Sequence, residues 1–103
     1  MHPPMARRRP RRVRWIFTDH AMRRLRERWH DCCRFSDEEL QLEVAHQLDA
    51  AVERNRVVVT PGGLYIPFSL MGTDGYAVEK DGELATALPA TWCEEVNEQL
   101  RSM

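Results

Sequence analysis

The chain has 103 residues, of which 43% are hydrophobic and 30% charged. It can therefore build one domain around one core, and it is neither a disordered nor a fibrous protein. No apolar run approaches the roughly 20 residues that cross a bilayer, and the N-terminus lacks the apolar stretch of a secretory signal. Three cysteines, an odd number in a short chain, argue against a disulfide framework. We expect a cytoplasmic protein that does not enter a membrane.

The net charge of −1 conceals two regions of opposite charge. Residues 1–30 carry ten arginines against two acidic residues, whereas residues 31–103 carry five basic and fourteen acidic residues. Residues 1–14 include three prolines and six arginines, which predicts a flexible arm, followed by a single α+β domain over residues 15–103. The arm either contacts nucleic-acid phosphates or is a solvated extension that can fold onto the acidic body. The arginines assigned to nucleic-acid binding are Arg7, Arg8, Arg9, Arg11, Arg12 and Arg14, with Arg23 from the first helix.

Helical spacing defines the first part of the domain. Thr18 is a suitable N-cap, and the apolar residues that follow recur every three or four positions until the helix ends near residues 30–34. Ser36 and Glu39 form a capping box that opens a second helix, which ends near Asn55. The buried stripes comprise Ala21, Met22, Leu25 and Trp29 in the first helix, and Leu40, Val44, Leu48, Ala51 and Val52 in the second.

The period then changes to two, which predicts strands over residues 57–60, 64–70, 76–80 and 83–88. Pro67 cannot donate a ladder hydrogen bond and indicates an edge or a bulge. The pairs at 74–75 and 81–82, both Asp-Gly, predict turns. Thr91 and Glu94 predict a capping box for a short closing helix lined by Trp92. The expected fold is α+β, with two N-terminal helices, a four-stranded mainly antiparallel sheet and a short C-terminal helix.

Three charged or titratable residues of the first helix carry the most suggestive chemistry. His20, Arg24 and Arg28 lie at i, i+4 and i+8, and so share one ridge beside the buried stripe. Histidine can act as acid or base near neutral pH, and arginine matches the geometry of a phosphate. A solvated basic face with a histidine at the core boundary explains the same spacing.

The remaining titratable residues predict no metal site and no cofactor. His30, Cys32, Cys33 and Cys93 could in principle form a tetrahedral zinc site. Adjacent cysteines point in different directions, however, and no Cys-x-x-Cys is present. Buried or partly buried thiols are the interpretation that the spacing favours.

Residues 17–28, Phe-Thr-Asp-His-Ala-Met-Arg-Arg-Leu-Arg-Glu-Arg, resemble the opening helix of the DUF4258 group of small bacterial and phage proteins. That helix reads approximately F-S-x-H-A-x-x-R-x-x-x-R. The resemblance continues through an acidic second helix to strands that end in a phrase like residues 85–89, Ala-Thr-Ala-Leu-Pro. The group is similar to the barnase, colicin and RelE type of ribonuclease fold, which includes many toxins. The resemblance implies His20, Arg24, Arg28 and Thr86 as catalytic residues, and Tyr65, Tyr76 or Lys80 could supply the second acid–base group.

Together these features predict a toxin-like, metal-independent endoribonuclease that acts on RNA by general acid–base transesterification. Its partners would be RNA and an antitoxin. A non-catalytic module that binds RNA or DNA needs only the charge of the arm and first helix. A third alternative is a phage or bacterial inhibitor or adaptor, whose acidic surface over residues 31–103 binds a host protein.

Overall fold

The computed structural model of the protein describes residues 15–102. The arm over residues 1–14, with its predicted nucleic-acid-binding arginines Arg7, Arg8, Arg9, Arg11, Arg12 and Arg14, lies outside the described residues.

Short 3-10 turns over His30–Arg34 and Ala90–Trp92 connect the longer elements. In chain order these are β1 (Ile16–Phe17), α1 (Asp19–Arg28), α2 (Asp37–Glu53), β2 (Val58–Thr60), β3 (Gly63–Leu70), β4 (Thr73–Lys80), β5 (Glu83–Pro89) and α3 (Glu94–Arg101). The predicted α+β class is confirmed. None of the helices in this part of the chain is long and apolar enough to cross a membrane.

One mixed sheet contains all five strands, in the order β1-β5-β4-β3-β2. The prediction of four mainly antiparallel strands was wrong in its count, because β1 pairs with β5 in parallel, with Phe17 opposite Leu84. The Thr18 hydroxyl extends this pairing by donating to the Leu84 carbonyl at 2.8 Å. A two-residue strand has no period of its own, and its pairing partner is 67 residues away in the chain. Sequence periodicity therefore misses it.

The N-terminal caps of α1 and α2 are those that the sequence predicts. The Thr18 hydroxyl accepts a hydrogen bond from the Ala21 amide at 3.1 Å, and Ser36 and Glu39 complete a capping box. The predicted capping box at Thr91 is wrong, because the 3-10 turn precedes α3 and Cys93 occupies its N-cap without a side-chain hydrogen bond. Trp92 consequently lies outside the helix that it was expected to line.

One of the two predicted turns is confirmed. Asp81 and Gly82 have φ angles of 55° and 86° and join β4 to β5, as a tight hairpin requires. The other turn was misplaced: the chain reverses at Met71 and Gly72, with φ angles of 52° and 79°. Gly75 lies instead inside β4.

Helices cover both faces of the sheet. The first face carries α1 and α2, whose buried residues form the larger core together with inward side chains of β3, β4 and β5. The second face carries α3, and Tyr76 of β4 donates its hydroxyl hydrogen to the Asn97 side chain of that helix. Buried side chains of the first face include Leu25, Trp29, Leu40, Leu48, Ile66, Phe68 and Leu84, and those of the second include Val58, Tyr76, Val96 and Leu100.

Both outer strands are short, so the longer strands beside them are only partly paired. On one side β2 pairs with residues 63–65 of β3, and Pro67 lies beyond its end, which confirms the predicted edge position. There the side-chain amide of Gln47 bridges Ser69, accepting from its N–H at 2.7 Å and donating to its carbonyl at 2.6 Å. On the other side β1 pairs only with Glu83 and Leu84, so the outer edge of β5 has no strand beside it beyond Leu84, although its inner edge stays paired with β4.

Candidate nucleic-acid interface

The α1 ridge, formed by His20, Arg24 and Arg28, belongs to a helix that packs on β5, the strand whose outer edge β1 leaves largely uncovered. Ala21, Met22 and Leu25 turn their side chains into the core, so the positions beside them lie at its border. His20 is exposed there, whereas Arg24 and Arg28 are half-buried. The Arg28 guanidinium reaches across to β5 and donates to the carbonyl of Ala87 at 2.6 Å. The first helix and the edge of the sheet thus frame one surface.

His20 and Arg24 form a hydrogen-bonded pair on this surface. Arg24 Nε donates to His20 Nε2 at 3.3 Å, while Arg24 Nη1 donates to Glu27 Oε1 at 2.6 Å. Arginine can only donate, so His20 Nε2 is the acceptor of this bond, and the Nε2 lone pair points at Arg24. The bond from Arg24 also lowers the pKa of the Glu27 carboxyl. A phosphate that binds Arg24 must therefore compete with this carboxylate.

Arg28 is held against an aromatic ring that is itself largely exposed. Its guanidinium carbon lies 4.6 Å from the centroid of the Trp92 ring, within the range of a cation–π interaction. Trp92 is 62% exposed. Sequence reasoning missed Trp92, which it assigned to the core of the last helix. Because Trp92 lies 64 positions from Arg28 in the chain, the sequence does not reveal the pairing; the local signal is an aromatic residue three positions after the last strand.

The three residues of the α1 ridge lie at different heights along the helix axis. With a rise of about 1.5 Å per residue, Arg24 lies about 6 Å and Arg28 about 12 Å beyond His20. Arg28 also lines a cleft of about 220 Å³ with His30 and Asp31, near the C-terminal end of α1. His20 and Arg24 therefore lie one helical turn apart, while Arg28, with Trp92 beside it, lies one turn beyond Arg24.

Thr86 lies on the opposite face of the sheet from α1. It pairs with Val78, and Val78 pairs in turn with Tyr65, whose side chain packs against the α3 core. The ladder between β4 and β5 is irregular at Val78 and Glu79. The structure does not bring Thr86 together with the α1 ridge.

The three candidates for a second acid–base group share that opposite face. Tyr65 and Tyr76 pack edge to face, with ring centroids 6.2 Å apart, and Lys80 follows Tyr76 by four positions on the same strand. Tyr76 is buried and bonded to Asn97, and burial raises the pKa of its hydroxyl. None of these groups lies beside His20.

The three thiols are distributed over both cores and the surface. Cys32 is buried with the first-face core and Cys93 with the α3 core, while Cys33 is exposed. Burial raises the pKa of both Cys32 and Cys93. His30 is exposed in the 3-10 turn beside Cys32. Within residues 15–102, no three side chains of His, Cys, Asp or Glu gather as metal ligands would.

Comparisons of the chain with protein-family models, with curated proteins and with solved structures find no match. The similarity of residues 17–28 to the DUF4258 group therefore stays a prediction that rests on the pattern of α1.

Proposed function

We propose that the protein is a metal-independent endoribonuclease that uses the α1 ridge to bind and cleave RNA. The observation that carries the proposal is the exposed hydrogen bond between Arg24 Nε and His20 Nε2. It joins a group that can accept a proton near neutral pH to a cation that can bind phosphate.

In the proposed reaction, phosphate oxygens displace His20 and Glu27 as the partners of Arg24. The freed Nε2 of His20 accepts the proton of a ribose 2′-hydroxyl, and the 2′-oxygen attacks the adjacent phosphorus. The bond from phosphorus to the 5′-oxygen breaks, which leaves a 2′,3′-cyclic phosphate, and the leaving oxygen takes a proton from water. Arg24 compensates the charge that develops on the phosphorane.

Trp92 and Arg28 support RNA as the ligand of this surface. Exposed aromatic rings stack on unpaired bases, and arginine strengthens such platforms by cation–π contact. Trp92 has one face against Arg28 and is otherwise largely open to solvent. Arg23, which is also exposed on α1, adds a further cation for the backbone. Single-stranded RNA offers both the bases and the 2′-hydroxyl that this reaction needs.

A second candidate function is RNA binding without cleavage. The location of Tyr65, Tyr76, Lys80 and Thr86 on the face opposite α1 favours it, because efficient transesterification uses a proton donor as well as an acceptor. In that case His20 only orients Arg24.

Cleavage of an end-labelled RNA in the presence of EDTA tests the proposal, with binding of the same RNA measured in parallel. We expect His20→Ala to lower cleavage by about 10²-fold or more while binding is nearly unchanged, since a neutral imidazole adds no charge. Arg24→Ala should lower both, because it would bind the ground state and the transition state alike. A wild-type protein that binds but does not cleave would refute the catalytic proposal and leave RNA binding as the function.

A further inference from the structure

A second polar cleft lies at the β3 edge of the sheet, and no residue of the α1 ridge lines it. It has a volume of about 630 Å³ and opens along the outer edge of β3, beyond the residues that pair with β2. The second half of α2 forms one wall and the last turns of α3 form the other, with Pro67 and Tyr76 between them. A cleft of this volume is in the range of small-molecule sites.

Most of the basic side chains of the acidic region over residues 31–103 line this cleft. Residues 31–103 contain five basic and fourteen acidic residues, yet Arg54, Arg56 and Arg101 all line this cleft. Asp74 is the one carboxylate among the described residues that line it. The surplus of positive charge is therefore local and runs against the charge of the surrounding surface.

These three arginines have no carboxylate partner that would explain their placement. Within residues 15–102 the ion pairs are those of Arg24 with Glu27 and of Arg26 with Asp37. Arg54 and Arg101 lie at the C-terminal ends of α2 and α3, where the helix dipole favours a cation. The dipole accounts for each of them singly, but not for their convergence with Arg56 on one cleft. Burial raises the pKa of Tyr76 at the floor of the cleft, and the positive charges of Arg56 and Arg101 both act against this rise.

We propose that this cleft binds a small phosphate-bearing molecule of about nucleotide size. Three guanidinium groups against one carboxylate suit a ligand with at least two negative charges, and guanidinium groups match phosphate oxygens in pairs. Ala50, Pro67 and Leu100 supply apolar surface for the organic part of the ligand. The site is independent of the proposed RNA cleavage, because no residue of the α1 ridge lines it.

Titration of the full chain with ADP, and separately with pyrophosphate, tests the site by calorimetry and by amide NMR shifts. We expect saturable binding with shifts centred on Ser69, Tyr76 and Asn97, a local signal that ADP bound elsewhere would not give. Arg56→Ala should weaken ADP binding about tenfold or more, because it removes charge-assisted hydrogen bonds. ADP should bind more tightly than pyrophosphate, because the apolar walls contact the organic part that pyrophosphate lacks.

The matched control is Arg34→Ala, which removes one exposed arginine that does not line the cleft. We expect it to leave ADP binding unchanged, and both variants to keep the wild-type melting temperature, since both side chains are exposed. Equal weakening by the two variants, or no saturation with either probe, would overturn the proposal. Displacement of ADP by an RNA oligonucleotide would also overturn it and assign the cleft to the RNA surface. If Arg56→Ala loses ADP binding but keeps RNA cleavage, the cleft and the α1 ridge are separate sites.

Discussion

The indole ring of Trp29 lies directly over the backbone of Gly75. Its Nε1 donates to the carbonyl of Thr73 at 3.0 Å, and its ring packs on Phe68 with centroids 5.1 Å apart. A β-carbon at position 75 would lie 2.6 Å from Cη2 of this ring and 2.8 Å from the carbonyl oxygen of Leu88. Glycine is therefore required here for a close approach between the end of α1 and the middle of β4, and not for a turn.

Gly75→Ala should destabilise the fold by about 1–3 kcal/mol, because the added methyl overpacks a buried contact and either the ring or the strand must shift. Urea unfolding measures the free energy of unfolding. The matched control is Gly62→Ala, where the added carbon would lie 3.7 Å from its nearest neighbour, the Thr60 hydroxyl. We expect this control to change stability by less than about 0.5 kcal/mol. Similar losses in both variants would contradict the role assigned to the Trp29 contact.

Trp92→Ala should weaken binding of single-stranded RNA by roughly 1–3 kcal/mol, the usual contribution of one stacked base. Fluorescence anisotropy with a labelled oligonucleotide measures the change. Leu42→Ala is the control, since Leu42 is 70% exposed on α2 and has no role in the proposed surface. RNA affinity that is unaffected by Trp92→Ala would remove the aromatic ring from the interface.

Cys33 should react with a maleimide at neutral pH much faster than Cys32 or Cys93. Cys33 is exposed, whereas burial shields the other two thiols and raises the pKa of each. A thiol whose pKa is raised by folding gives a stability contribution that is present below its unfolded pKa and is lost as the pH rises through its folded pKa. Mass spectrometry of peptides after timed labelling checks the order of reactivity, and urea unfolding at increasing alkaline pH checks the loss of stability. Equal labelling of all three cysteines at pH 7 would contradict the described burial.

Removal of residues 1–14 should weaken RNA binding and reduce its dependence on salt. For single strands the logarithm of affinity falls with the logarithm of salt concentration by about 0.7 per phosphate contact, so six arginines contribute a slope of about 4 if all engage. The measurement is a set of binding titrations between low and physiological salt. An unchanged slope would exclude the arm from the interaction.

Local interactions are the part of the fold that the sequence predicts well. The Thr18 cap and the box of Ser36 and Glu39 join residues three apart, so their geometry follows from the order of the residues alone. The pairing of β1 with β5 and the contact of Trp29 with Gly75 join distant residues. A glycine that serves packing and a glycine that serves a turn look the same in a sequence, which is why the Asp-Gly pair at 74–75 was misread.

In the candidate site too, local features were predictable from the sequence and long-range ones were not. The spacing of His20, Arg24 and Arg28 on one ridge is a local property of a helix and was predictable. The side of the sheet on which Thr86 lies was not. A regular ladder from the hairpin at 81–82 would pair Thr86 with Ala77, which faces α1, but one extra residue in β5 pairs it with Val78 instead. One extra residue in β5 therefore places the Thr86 side chain on the other face of the sheet, and no sequence pattern predicts such a bulge.

Gln47 and Arg28 cover backbone groups at the two outer edges of the sheet, where strands of a second copy of this protein could add. Exposed strand edges are templates for strand addition, the first step towards domain swapping and fibrils. The Gln47 amide occupies the N–H and the carbonyl of Ser69 as a neighbouring strand would, and Arg28 occupies the carbonyl of Ala87 at the opposite border. An incoming chain must first displace two side chains that their own helices hold in place. These two residues limit growth of the sheet and thereby act against aggregation.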